Sequence, residues 1–234
     1  MKDYWDKIDS SLDELMKNGF CYLPSVSDYV DLKDLSKKIL DDITDNVYSA
    51  GIKSHIDFCN TFGISNLLAS KLYDLAKNHF NFKGSIDDQY HIARKVNPGL
   101  KSEAYRGHFD SHCFTLVFPV QIPKRITDES VGDLIFSPNS RDLPSNEFVN
   151  FYQKAYFKRY ASEDGFKKLS NQKKVLFEDF SSYKPLLFVG MKTFHANLAV
   201  NQVLNNERIT LLSHFFDPSP SWGVGNILRI LRNR

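Results

Sequence analysis

The apolar residues of this chain change their spacing near residue 85, and that change limits the folds open to it. Before it, they recur every three or four positions. Trp5, Ile8, Leu12, Leu15 and Met16 form one stripe, which predicts a helix over 3–18 stopped by Gly19. Leu32, Leu35, Ile39, Ile43 and Val47 predict a second helix over 28–47, and a third is expected over 64–80. A short strand-like run, Phe20-Cys21-Tyr22-Leu23, ends at Pro24. After residue 85 the apolar segments are short, β-branched or aromatic, and separated by Pro, Gly, Asn or Asp. Segments 90–96, 114–122, 134–137, 186–190 and 208–216 read as strands. Helices first and strands after, without βαβ alternation, point to antiparallel sheets rather than a doubly wound fold.

One segment breaks the strand series. Residues 145–183 are helix-like again, rich in Phe and Tyr, and carry more Lys and Arg than Asp and Glu. A decorated crossover packing its aromatics on a sheet explains them. So does a lid over a substrate mouth, a common role of long insertions.

Size and charge exclude several classes. A length of 234 residues suits one large domain, and 42% hydrophobic content can build its core. Thirty basic against 28 acidic residues leave a net charge of +2, which gives no electrostatic case for a nucleic-acid partner. The charged opening MKDYWDKIDSS lacks an apolar leader core, and no apolar run approaches bilayer length, so no membrane association is expected. Cys21, Cys59 and Cys113 are scattered and odd in number. They suit reduced, buried thiols, and a cytoplasmic location is the expectation.

The chemistry concentrates in His108-Phe109-Asp110, His195 and Arg208-Ile209-Thr210. On an extended strand, positions i and i+2 share a face, so His108 and Asp110 can converge on one metal while Phe109 points away. Two imidazoles and a carboxylate form the facial set that suits non-haem Fe(II) with open positions. His55-Ile56-Asp57 repeats the spacing, but helix-like sequence follows it and no strand carries the pair into a sheet. Arg208, Thr210, Leu212 and His214 fall on one face of a strand. A buried arginine there is costly unless an anion meets it, and its planar guanidinium grips a carboxylate through two parallel hydrogen bonds, with Thr210 adding a third. An arginine paired to Glu207 or Asp217 is the plainer alternative. His112 shares the parity of His108 and Asp110. Tyr90, Ile92 and Arg94 share one face of their strand, and His91, Ala93 and Lys95 the other; the inward set stays open. Asn197 is placed to orient an iron ligand. Arg106 suits either an anionic substrate or an exposed salt bridge.

These residues resemble the Fe(II)- and 2-oxoglutarate-dependent dioxygenases, particularly the phytanoyl-CoA-dioxygenase-like branch. The resemblance runs through LMKNGFCYLPSV, YHIARKVNPG, YRGHFDSHCFTLVFPVQIP, VGDLIFSPNSR and KTFHANLAVNQVLNNERITLLSHFFDP, most of the chain. It implies a mainly β fold with flanking α: a double-stranded β-helix, or jelly-roll, cupin-like core at 86–142 and 184–218. An N-terminal helical buttress at 1–85 and a helical insertion at 143–183 would complete a single domain. It makes His108, Asp110 and His195 the iron ligands, and Arg208 with Thr210 the holders of the 2-oxoglutarate distal carboxylate. It also implies O2 as co-substrate and hydroxylation of a small-molecule substrate, with the carboxylate of Asp110 favouring oxygenation over halogenation. The basic excess of the insertion suits an anionic substrate. Two other classes remain. A non-catalytic ligand-binding barrel would lack a ligand or the anion holder, and a 2-oxoglutarate-independent metal enzyme would leave Arg208 without a purpose.

Overall fold

A computed structural model describes residues 2–43, 47–126, 130–144 and 147–218. The helical half comes first. α1 (Lys2–Trp5) and α2 (Asp9–Asn18) replace the single helix expected over 3–18. The break lets the first turn aim its aromatics inward: Tyr4 Oη donates to the Pro24 carbonyl (2.9 Å) and Trp5 Nε1 to that of Phe62 (2.6 Å). α2 buries Leu12 and Leu15 and ends at Gly19, whose φ of 83° is the left-handed value expected of a C-terminal stop. α3 (Leu32–Asp42) is shorter than the predicted 28–47 because the Asp31 carboxylate caps it, accepting from the N–H groups of Lys33 and Asp34. Residues 44–46 of that expectation lie outside the described residues. Val47 is not helical; its carbonyl accepts from Lys95 N and leads into a short edge strand, β2 (Tyr48–Ala50). α4 (Lys53–Phe62), a π-helical turn (Ile64–Leu68) and α5 (Ala69–Phe80) complete the layer.

The strands form two antiparallel sheets. β1 (Phe20–Tyr22), β7 (Leu186–Val189), β4 (Phe114–Gln121), β9 (Arg208–Phe215), β3 (Gln89–Val96) and β2 make the larger one, in the order β1-β7-β4-β9-β3-β2. β6 (Leu176–Glu178), β5 (Leu134–Ser137) and β8 (Phe194–Asn197) make the smaller, in the order β6-β5-β8. The smaller sheet gains a further edge where His108 bridges His195. This is the double-stranded β-helix, with helices against one sheet. β4 shows why: Phe114, Leu116 and Phe118 join the helices in one buried cluster, while Thr115 and Val117 line the interior. Alternation along one strand thus serves two cores.

The segment expected to be a helical insertion is only partly so. α6 (Glu147–Lys158) and α7 (Glu163–Ser170) are followed by β6, which pairs with β5, so the chain rejoins the sheet before residue 183. Residues 145 and 146 lie outside the described residues. Phe157, Tyr160, Phe166 and Leu169 pack with Phe109, Ile135, Phe194 and Ala196, which seats the helices on the smaller sheet. Among the described residues, no helix is long and apolar enough to cross a membrane.

Candidate metal and co-substrate site

The register of β3 against β9 fixes what the barrel interior contains. Tyr90 faces His214, Ile92 faces Leu212 and Arg94 faces Thr210. Directly opposed residues share a face, so Tyr90, Ile92 and Arg94 are the inward set and His91, Ala93 and Lys95 the outward one. Ile92, Arg94, Thr210, Leu212 and His214 all line a cavity of about 720 Å³ between the sheets.

His108, Asp110 and His195 meet in this cavity, their candidate donor atoms all within 4.8 Å of one another. The expected strand under His108 and Asp110 reduces to one bridge: His108 exchanges N–H···O bonds with His195, both 3.0 Å, and the next residues leave the sheet. That suffices to separate the faces. Phe109 is buried against Phe157 and Phe194, while the residues on either side turn inward. His108 Nε2 lies 3.5 Å from Asp110 Oδ1, and His195 Nε2 lies 3.7 Å from Oδ2.

Backbone carbonyls set both tautomers. His108 Nδ1 donates to Arg106 O (2.8 Å) and His195 Nδ1 to Thr193 O (3.1 Å). Each Nε2 is left with a lone pair directed at the carboxylate, the arrangement of metal-ligating histidines. Thr115 Oγ1 donates to Asp110 Oδ2 (2.6 Å) and holds it in place. Burial lowers His195 to about 4, so its imidazole is neutral at pH 7. Burial would raise Asp110, but the imidazoles of His195, His214 and His108 outweigh it and keep the carboxylate ionised. Burial would lower His108, but its hydrogen bond to Asp110 and that carboxylate's charge raise it, so a divalent cation binding these three donors displaces any proton held there.

Sequence reasoning placed His214 on the inner face without giving it a role. It is buried, with Nδ1 3.1 Å from Thr115 Oγ1 and 3.7 Å from Asp110 Oδ2. His112 stacks on Tyr90 and lies beside His214.

Arg208 is 1% exposed. Its Nη1 donates to Asn197 Oδ1 (3.3 Å), while Nε and Nη2 are buried without hydrogen-bond partners among the described residues. Burial, with Arg94 adding to it, lowers its guanidinium to about 9. A fully buried cation with two idle donors fits an anion from outside the chain. It does not itself line the cavity wall; Thr210 and Asn197 do. Asn197, expected to orient a metal ligand, instead supports Arg208. Arg94 is the arginine of the wall proper, with Nε donating to Tyr48 Oη (3.2 Å). Of the two readings open for Arg106, the structure shows the exposed salt bridge, to Glu103 (2.7 Å), and Lys154 and Lys158 of α6 also line the cavity. The His55-Ile56-Asp57 repeat does not converge: on α4 His55 points into the core, and Asp57 is exposed and paired with Lys53.

No protein-family model matches the chain, and no curated protein matches it in sequence. Solved structures do match in fold. A prolyl 4-hydroxylase from Phytophthora capsici is 9% identical, with a TM-score of 0.57 over 99% of this chain and 72% of that one. SnoK, a non-haem α-ketoglutarate-dependent carbocyclase of nogalamycin biosynthesis, is 10% identical, with a TM-score of 0.55 over 97% and 92%. EvdO2 from Micromonospora carbonacea var. aurantiaca, complexed with 2-oxoglutarate, is 14% identical, with a TM-score of 0.50 over 91% and 94%.

Proposed function

We propose that this chain is a non-haem Fe(II)- and 2-oxoglutarate-dependent oxygenase that hydroxylates a small anionic molecule. The observation that carries the reading is the buried Arg208, whose unpartnered donors call for an anion in the barrel that also assembles His108, Asp110 and His195. Those three residues would hold the iron, leaving open positions for a keto acid and O2. Bound there, iron with 2-oxoglutarate and O2 would supply the oxidation: one oxygen atom enters succinate as CO2 is lost, and the other enters a substrate C–H bond.

The chain's own part is holding and excluding. Arg208 and Thr210 receive the distal carboxylate of the co-substrate, with Asn197 steadying the guanidinium. The carbonyls of Arg106 and Thr193 keep both imidazoles turned toward the metal, and Thr115 keeps Asp110 from rotating. Val117, Leu134, Phe188 and Leu212 give the cavity an apolar wall, and Phe188 packs against the His195 ring (5.0 Å between centroids), limiting water beside the metal. Lys154 and Lys158 of α6 add two cations to the cavity lining, which suits an anionic substrate, while Arg106 beside them is paired with Glu103. In the test, 2-oxoglutarate is added anaerobically to the Fe(II)-loaded protein. A visible iron-to-keto-acid charge-transfer band is expected, and its absence at saturating co-substrate would overturn the reading.

A further inference from the structure

A second group of donors lies behind the barrel wall, on the outward face of β3. His55 and Cys59 stand one helical turn apart on α4, both fully buried, and His91 meets them from β3. Their candidate donor atoms all lie within 4.8 Å of one another. Cys59 Sγ is 3.6 Å from His91 Nδ1. Ser213 Oγ, from β9, is 2.9 Å from that nitrogen and 3.7 Å from the sulfur. Ser65 Oγ lies 3.4 Å from His91 Nε2 on the far side of the ring.

His55 is the residue that needs explaining. It is 0% exposed, yet neither Nδ1 nor Nε2 has a hydrogen-bond partner among the described residues. A buried polar group left unpaired costs about 1–3 kcal/mol, so an apolar side chain would fill this slot more cheaply. An imidazole whose lone pair faces a thiol and a second imidazole has a use when a cation joins them.

We propose that His55, Cys59 and His91, with Ser213 as fourth donor, form a second metal site for a borderline-soft divalent ion of the zinc type. Zinc–sulfur and zinc–nitrogen bonds of about 2.3 and 2.0 Å in tetrahedral geometry place the two ligand atoms about 3.5 Å apart, and the observed separation is 3.6 Å. Binding converts the Cys59 thiol to thiolate and releases its proton to solvent, with no change of oxidation state. The ion would tie α4 to β3 and β9, the two strands whose opposite faces carry Arg94, Thr210 and His214. Its role is a structural clamp that fixes the back of the co-substrate wall.

Sulfur makes this site distinguishable from the one in the cavity. A full-length chain carrying His108→Ala and His195→Ala removes the cavity donors. After chelation under reducing conditions it is titrated with Co2+. The expected result is one equivalent bound with a thiolate-to-cobalt charge-transfer band, displaced by Zn2+, and a higher melting temperature with Zn2+ present. Cys59→Ser should abolish the band, while Cys21→Ser and Cys113→Ser should leave it. His55→Ala, which keeps the thiol, should weaken cobalt binding by at least about tenfold. If Cys59→Ser does not fold, the parent spectrum with the other two cysteine variants decides. Absence of the band at excess cobalt, or its survival in folded Cys59→Ser, would overturn the proposal.

Discussion

Replacing Arg208 with Met separates the two things a buried guanidinium can do. The side chain is 1% exposed, and burial lowers its titration to about 9. At about 1.4 kcal/mol per pKa unit, the drop from its ordinary value means that the unpaired charge costs on the order of 5 kcal/mol. A dicarboxylate in the cavity beside Thr210 and Asn197 that reaches the guanidinium recovers much of that cost. Loss of one partner of such a pair should then weaken 2-oxoglutarate by about 2–5 kcal/mol, roughly thirtyfold to several-thousandfold in Kd. Met keeps the apolar stem against the Phe180 ring, which the guanidinium now overlies at 5.3 Å. Stability without co-substrate should therefore hold or rise. Calorimetric titration of the Mn2+-loaded protein gives the affinity. Thermal melts give the second arm: at a hundred times its Kd, 2-oxoglutarate should stabilise the parent by about 2.7 kcal/mol and leave the variant unmoved at that concentration. Unchanged 2-oxoglutarate affinity in Arg208→Met, with stability lost, would make the residue structural and refute this reasoning.

Four further outcomes test other parts of the site. Thr115→Val removes the 2.6 Å hydrogen bond to Asp110 and should weaken Fe(II) by about 10–100-fold in a metal titration, with the fold retained. A Cβ on Gly190 would come within 2.8 Å of the His112 carbonyl and 3.0 Å of Asp110 Cβ. Gly190→Ala should therefore cost about 1–3 kcal/mol in denaturant melts and also loosen the metal. Arg94→Gln should impair substrate-stimulated turnover more than 2-oxoglutarate affinity; the reverse pattern would transfer the co-substrate to Arg94. Lys154→Ala with Lys158→Ala should raise KM for an anionic substrate while uncoupled 2-oxoglutarate decarboxylation persists. An unaltered KM would remove α6 from the substrate site.

The parts of the fold legible in the sequence are those where one physical rule dominates. β3, β4, β5, β7 and β9 fall within a residue or so of expectation because β-branched, aromatic or apolar runs bounded by turn residues have few other uses. β2 and β6, at three residues each, are too short to show a period, and β8 (Phe194–Asn197) breaks its apolar run with His195 and Asn197. β8 carries His195, so the third donor was found by residue type and order rather than by its strand. The inward role of Arg94 was not readable, because both faces of β3 carry polar residues and only pairing with β9 selects one. His214 was visible through parity on β9, but its approach to Asp110 depends on packing between distant segments. His55 shows the converse. Its local H-x-D spacing pointed to Asp57, whereas helical geometry joins it to Cys59 and tertiary structure to His91.

The central claim is tested most directly by succinate formed from 2-oxoglutarate under air with Fe(II) and ascorbate, measured for the parent chain and for Asp110→Ala. The account predicts iron-dependent succinate from the parent and almost none from the variant. No succinate from an iron-loaded parent that binds 2-oxoglutarate, or equal amounts from both proteins, would contradict it.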